Sequence, residues 1–421
     1  MKRLFYTPSQ VSEAECALST LRIGGRVLDV RQSLQNVSLT LVDAIGSVKV
    51  VLASSTTTGE LPEDGAFALV AGKLATRGHE LVLENALLER TWPAPCPPEL
   101  SEFWRTRRGS RGRNLRARSH LLKLLRTWFE DAGFLEVDTP SRVNSPGSDA
   151  YVNAFASEGK YLITSPEHHM KRLVAAGFYQ VFQLAHCFRK DESGERHQPE
   201  FLMLEWYRAF ASQLEMMDDT EAIVTATVSA FAPHRADRAE QLMLGALAID
   251  LRRPFDRLTV GNAFVEFAGV KDAVDLAATD EAQYFQIFVD RVEPRLTELT
   301  RPVFLVDFPS TQAALARRNP ADERVAERFE LYLGGVELCN GYTELTSAEE
   351  FLERQSREND RKRSEGVPSY PADLALYRAL QHGFPPSGGN ALGVDRLLAL
   401  ALGEKDIRNV VSFPEPDQPV A

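Results

Sequence analysis

Two arginines and a scatter of carboxylates mark where this sequence could do chemistry. In FRKDESGERHQPEFLMLEWY, residues 188–207, Arg189 and Arg196 flank an acidic turn, and the chain runs through His197, Pro199 and Phe201 into an apolar stretch that carries one acid, Glu205. A guanidinium presents a planar fork of donors that suits phosphate oxygens, and an aromatic ring can stack on a nucleobase. A carboxylate at the end of an apolar run needs a cationic partner. Together these residues point to a nucleoside-phosphate site beside an amine site.

A second acidic set lies in RFELYLGGVELCNGYTEL, residues 328–345. Gly334-Gly335 between two apolar arms reads as a two-residue hairpin turn. Pairing outward from it sets Tyr332 opposite Glu337 and Glu330 opposite Cys339, which makes Glu330 and Glu337 diagonal neighbours on one face. Two such carboxylates repel unless they share a cation, and oxygen ligands beside phosphates are how Mg²⁺ is usually held. The plainer reading is a pair of acids on a solvated strand face. Beyond Cys339, Asn340, Tyr342 and Glu344 alternate on the face opposite Glu337, so one pocket lined by all of them requires an irregular strand between Glu337 and Asn340. Gly341 offers a place for a bulge. A third element, SGGNALGVDRLLALALG, sets Gly388, Gly389, Ala391 and Gly393 ahead of Asp395, Arg396 and a helical run. Open backbone and an arginine at a helix start suit a nucleotide phosphate or base.

The elements that must hold these residues are legible as an α+β chain. Between residues 21 and 88, apolar residues alternate in short bursts separated by Gly, Asp and Asn, which reads as about five strands. A small barrel of the oligonucleotide-binding type fits that count, with a generic β-domain as the alternative. The proline-rich TWPAPCPPEL, residues 91–100, can continue neither strand nor helix, so the chain divides into a barrel at 1–97 and a larger domain at 98–421. Seven arginines, Arg105, Arg107, Arg108, Arg111, Arg113, Arg116 and Arg118, lead into an amphipathic helix with Leu121, Leu122, Leu125 and Phe129 on its apolar face. They read either as a solvated linker or as a contact for an acidic partner, RNA or protein. A strand at Phe134, Leu135 and Val137 then stops at Pro140, and a helix follows the cap candidates Thr164 and Ser165. VFQLAHCFR and FLMLEWYRAF form a hairpin, helices are expected at 214–232, 260–268 and 281–292, and VFLVDFP is a buried strand.

Composition excludes several classes. A net charge of −11 over 421 residues argues against a protein that coats nucleic acid non-specifically. The four cysteines, Cys16, Cys96, Cys187 and Cys339, form no CxxC pair, so neither a zinc site nor a disulfide framework is indicated. The N-terminus lacks an apolar signal core and no run reaches membrane-span length, which fits a cytoplasmic protein.

Several spaced motifs agree with one family. FRKDESGERHQPEF, GGVELCNGYTEL and GVDRLLAL resemble motif 2, the following acidic strand and motif 3 of class II aminoacyl-tRNA synthetases, with EVDTP in the place of motif 1. The lysyl branch is the most similar. Within it, TSPEHHMKRL, RHQPEFLMLEWY and ENDRKRSEGVPSYP resemble the paralogues that attach lysine or β-lysine to a lysine side chain of elongation factor P. The resemblance spans roughly residues 115–414 and implies an antiparallel catalytic sheet flanked by helices, preceded here by the barrel. It implies ATP and Mg²⁺, with Arg189, Asp191, Arg196, His197, Phe201 and Arg396 holding ATP. Asp191 stands where the family's FRxE signature has glutamate. Glu330 and Glu337 would be the Mg²⁺ ligands, and these two with Arg189 and Arg396 the catalytic set. Glu167, Glu205, Tyr207, Asn340, Tyr342, Glu344 and Ala391 would surround the lysine.

The implied chemistry is an aminoacyl adenylate whose acyl group passes to an acceptor. Ser38 and Lys49 stand near where lysyl-tRNA synthetases carry the aromatic and glutamine that read the anticodon, and Ala391 stands where the protein-modifying ligases have alanine. Both features favour elongation factor P as the acceptor. The barrel, which those ligases usually lack, favours tRNA. A synthetase-like binding or regulatory protein without catalysis is the reading from another class. Motif 1 implies a homodimer.

Overall fold

A computed structural model describes residues 5–11, 20–34, 36–53, 60–147, 152–231 and 241–415. Cys16 and the expected helix end at Ala232 lie outside them. The alternating segment folds as a five-stranded closed barrel: β1 (Leu21–Gln32), β2 (Val37–Val42), β3 (Ser47–Leu52), β4 (Phe67–Arg77) and β5 (Glu80–Trp92) close in the order β1-β2-β3-β5-β4. Period-two alternation sends Ile23, Val27, Leu39, Leu41, Val50, Val70 and Leu83 inward, where they are all but fully buried. Closure leaves no unpaired edge for another chain to extend.

The barrel strands end at Trp92, yet this compact unit runs on to Arg116, and the second begins at Ala117. The expected boundary at residue 97 lies within this first unit. Arg107 donates to the carbonyls of Asp43 and Gly46 at 2.6 and 2.8 Å, and Arg116 donates to Ser9 Oγ at 2.9 Å. These bonds tie residues after the proline-rich stretch back to the barrel. They also show that the arginine run is not simply a solvated linker, since its members meet specific carbonyl and hydroxyl oxygens.

The second unit is a nine-stranded sheet with helices. Its elements are helix α1 (Arg111–Asp131), strand β6 (Leu135–Glu136), helix α2 (Glu167–Ala175), the hairpin β7 (Gln180–Phe188) and β8 (Glu200–Ala209), and helix α3 (Gln213–Phe231). Strands β9 (Asp256–Thr259), β10 (Val303–Pro309), β11 (Arg318–Asn319), β12 (Asp322–Leu333) and β13 (Val336–Thr343) follow, then helix α4 (Ala348–Ser364), strand β14 (Ser387–Gly393) and helix α5 (Val394–Leu402). The sheet order is β9-β10-β12-β13-β14-β8-β7-β6, with β11 beside β12. Helical turns at Val260–Ala268 and Glu281–Leu296 fall where the sequence places them. One core cluster gathers Leu121, Leu125 and Phe129 with Phe182, Trp206, Phe329, Met216, Ile223 and Leu397. Phe129 stacks on Phe182 at 4.5 Å between centroids. Each such side chain contributes about 1.5–3 kcal/mol relative to exposure. Among the described residues, no helix is long and apolar enough to cross a membrane.

Candidate active site

The sheet register brings six of the candidate residues, Glu205, Ala391, Asn340, Glu330, Tyr207 and Tyr342, into two adjacent rows. In one, Gln183 of β7 pairs with Glu205 of β8, Glu205 with Ala391 of β14, Ala391 with Asn340 of β13, and Asn340 with Glu330 of β12. In the next, Tyr207 pairs with Gly389, Gly389 with Tyr342, and Tyr342 with Arg328. Paired residues share a face. A single cavity of about 710 Å³ opens on that face and is lined by Glu167, Arg189, Arg196, His197, Phe201, Glu205, Tyr207, Glu330, Glu337, Asn340, Tyr342, Ala391 and Arg396, among others.

The hairpin at Gly334-Gly335 forms as the sequence requires, with φ of 57° and 74°, and sets Tyr332 opposite Glu337. The next expected pair does not form. Leu331, not Glu330, faces Cys339, because Leu338 is an extra residue on β13. This bulge is the irregularity required between Glu337 and Asn340, and it falls before Gly341. It lets Glu337, Asn340 and Tyr342 line one cavity.

At the basic end, Arg396 donates to the carbonyls of Arg196 and Glu337 at 3.2 and 2.8 Å and to His197 Nε2 at 2.5 Å, and lies 3.6 Å from the Glu337 carboxylate. Arg196 donates to Gly335 O at 3.0 Å. Asp395, buried, accepts from Arg118 and from Leu202 N, which fixes the start of α5 against β8. Arg189 lies over the Phe201 ring at 5.2 Å, while its buried Nε has no hydrogen-bond partner among the described residues. Burial and the Arg396 guanidinium hold the His197 imidazole below its usual pKa. Asp191 departs from its expected place. It sits exposed on the turn at φ 70°, a conformation Asp tolerates, and it is Glu192 that lines the cavity, 3.9 Å from Arg189.

Glu330 accepts from Arg328 at 2.6 Å and from Tyr332 at 2.9 Å, and burial, together with the charge of Glu337, pushes its carboxyl up to about 7. Two carboxylates whose repulsion is already felt, beside three arginines, fit a Mg²⁺–phosphate group.

At the acidic end, Glu205 is buried and accepts from Ser165 Oγ at 2.7 Å and Tyr207 Oη at 2.6 Å. Ser165 Oγ in turn accepts from Glu167 N at 3.1 Å, so the expected cap of α2 works from one position ahead of the cap residue, Pro166. Burial and the neighbouring Glu167 push Glu205 up to about 7. Burial acts upward on Glu167 too, but Lys171, His168 and the Tyr342 hydroxyl together outweigh it and hold Glu167 below the usual range. Glu344 does not line the cavity. It lies over Gly389, where a side chain of that residue would project, with Oε2 2.6 Å from Lys171 Nζ, and burial pushes it up to about 8. A Cβ on Gly389 would stand 2.2 Å from Glu344 Oε1 and 2.5 Å from the Tyr207 ring. Gly389→Ala is therefore expected to cost about 1–3 kcal/mol of stability, read from the denaturant midpoint. An unchanged midpoint would mean that these neighbours yield.

Sequence reasoning missed Glu192 and Lys171. The signal for Glu192 was its adjacency to an acid already singled out. For Lys171 it was the i,i+4 spacing from Glu167 on one helix.

The arrangement can bind an anion at one end of a cavity and a cation at the other. A family model, tRNA synthetases class II (D, K and N), matches residues 101–417, leaving the barrel strands outside it. The elongation factor P–(R)-β-lysine ligase of Yersinia enterocolitica is 38% identical over 315 residues, covering 72% of this chain and 94% of its own length. The proteins of the same name from Vibrio cholerae and Edwardsiella ictaluri are 36% and 38% identical, over 72% and 71% of this chain and 95% and 94% of their own lengths. With motifs, sheet and match in agreement, the chain belongs to the class II tRNA synthetase family of the D, K and N group.

Proposed function

We propose that this protein activates lysine or β-lysine with ATP as an aminoacyl adenylate and transfers the acyl group to a lysine side chain of elongation factor P. The observation that carries the reading is the single cavity with three arginines at one end and buried carboxylates at the other. The similarity to elongation factor P–(R)-β-lysine ligases supports the acceptor.

In the first step the amino-acid carboxylate attacks the α-phosphorus of ATP, and the bond to the pyrophosphate oxygen breaks. In the second, the acceptor nitrogen attacks the acyl carbon, AMP leaves and the nitrogen loses a proton. Arg189, Arg196 and Arg396 would hold the phosphates and Phe201 the base. Glu330 and Glu337 would hold Mg²⁺, which when bound neutralises charge on the phosphates. Glu167, Glu205 and Tyr207 would orient the amine. Positioning and preorganised charge supply most of the acceleration in such a site. A cytoplasmic location and a homodimer belong to this reading through the family alone.

The barrel favours a second reading, a lysyl-tRNA synthetase. One assay separates them: with ATP, Mg²⁺ and labelled lysine or β-lysine, the protein is expected to exchange pyrophosphate into ATP and to label elongation factor P, with little transfer to tRNA offered alongside. Efficient charging of tRNA and an unlabelled factor would reverse the acceptor. No exchange with either amino acid would favour a synthetase-like binding protein.

A further inference from the structure

The acidic end of the cavity already holds a cation of its own. Lys171 projects from α2 and is almost wholly buried. Its ammonium lies 2.6 Å from Glu167 Oε1 and 2.6 Å from Glu344 Oε2, and 5.1 and 6.0 Å from the centroids of the Tyr342 and Tyr207 rings. Neither Lys171 nor Glu344 lines the cavity, while Glu167, Glu205, Tyr207 and Tyr342 do. The pocket is thus built in two layers. The inner layer is a closed Glu167–Lys171–Glu344 bridge, and the outer layer is Glu205, held by Ser165 and Tyr207, with Glu167 shared between the two.

We propose that Lys171 is the resident counter-ion of the amine pocket, a positioning residue that satisfies the inner carboxylates and so leaves Glu205 open for the substrate's ammonium. The inference rests on the reading of this pocket as an amine site.

Three carboxylates converge here, and a monocation cannot satisfy all of them. Without an internal cation, burial and mutual repulsion would drive protons onto them, and a neutral acid is a poor partner for an ammonium. Lys171 helps hold Glu167 in its charged form and so takes that acid out of the competition. Tyr342 Oη donates to Glu167, and His168, next along α2, is occupied by Asp373 at 3.1 Å. The charged and titratable groups around the ammonium are therefore Glu167 and His168 of α2, Glu205 and Tyr207 of β8, Tyr342 of β13 and Glu344 just beyond it. Consistent with this, burial works against the charge on Lys171, but Glu167 and Glu344 hold it above the usual lysine range.

The test compares Lys171→Met, the charge-balanced pair Lys171→Met/Glu344→Gln, and wild type by pyrophosphate exchange with lysine between pH 6 and 8.5. Wild-type exchange is the control for the amine reading itself. If wild type fails to exchange with lysine or β-lysine, that reading falls, whatever the variants do. Given wild-type exchange, Lys171→Met is expected to move the pH below which KM rises upward by about one unit, raising KM about tenfold near pH 7 while the difference closes toward pH 8.5. The paired variant should restore the wild-type pH profile, a rescue that a purely structural lysine would not give. A KM raised equally at every pH, or no rescue by the pair when circular dichroism shows it folded, overturns the proposal. So does tighter lysine binding by Lys171→Met at pH 6, which would make Lys171 a competitor of the substrate.

Discussion

Pyrophosphate exchange is expected to fall about 10²–10³-fold in Arg189→Ala, with the KM for lysine little changed. Arg189 is held but not satisfied. Phe201 lies under its guanidinium at 5.2 Å and Glu192 stands 3.9 Å away, at the limit of an ion pair, while the buried Nε has no hydrogen-bond partner among the described residues. A buried donor in that state is costly unless an acceptor arrives, and the cavity opens beside it. An α-phosphate accumulating charge during displacement is such an acceptor. Arg189→Lys should recover only a small part of the rate, because an ammonium offers no planar fork and stacks poorly on Phe201. Exchange within threefold of wild type for Arg189→Ala would remove this residue from the chemistry.

Glu205→Gln should act on the other substrate. The expected result is a KM for lysine raised on the order of 10²-fold, with kcat changed much less, since the replacement keeps the shape and removes the charge that pairs with the amine. Glu205 also sets a pH dependence whose sign follows from its environment. Its carboxyl is pushed up to about 7 by burial first and Glu167 second, and Glu344 is pushed up to about 8 by burial, so both lose charge as pH falls through those values. Amine binding in wild type should therefore weaken below about pH 7 and strengthen above it. In Glu205→Gln the part of the dependence centred near 7 should vanish. A KM profile for the variant parallel to that of wild type would assign the titration to another group.

How much of this was legible without coordinates depends on which residues carried a period. The barrel strands and the helix through Leu121, Leu125 and Phe129 announce themselves because one face is apolar and the other is not. The hairpin at Gly334-Gly335 is legible from turn chemistry, and Tyr332 opposite Glu337 follows from it. The pairing fails one step later. Leu338 and Cys339 are both apolar and both buried, so no polar residue in the wrong phase betrays the extra one. Only the demand that Glu337 and Asn340 share a pocket pointed to an irregularity, without saying which residue bulges. Asp191 and Glu192 are adjacent acids, and sequence cannot tell which side chain a turn at positive φ sends inward. Prolines mark where strands stop, while contacts decide which unit Arg107 and Arg116 join. Lys171 was passed over because a lysine on an amphipathic helix is ordinarily a solvated residue. Its burial follows from Glu344, 173 positions away in sequence and 2.6 Å away in space.

Strand β14 has one more consequence. Its residues facing the cavity, Gly389, Ala391 and Gly393, are flanked by Tyr207, Glu205 and Met203 on one side, and by Tyr342 and Asn340 on the other. The low residues between taller neighbours make a trough, and the strand acts as a ruler laid along it. Its graduations are the two-residue steps of about 6.7 Å, so Gly389 and Gly393 lie about 13 Å apart. On the function proposed above, substrates longer or shorter than that interval would misalign carboxylate and phosphate. Nor can the ruler be recut by small steps. Deleting one residue would turn Asn390 and Leu392 into the trough and break the bond from Asn390 Nδ2 to Thr220 of α3 on the far side. New substrates must therefore be accommodated by exchanging side chains at fixed marks.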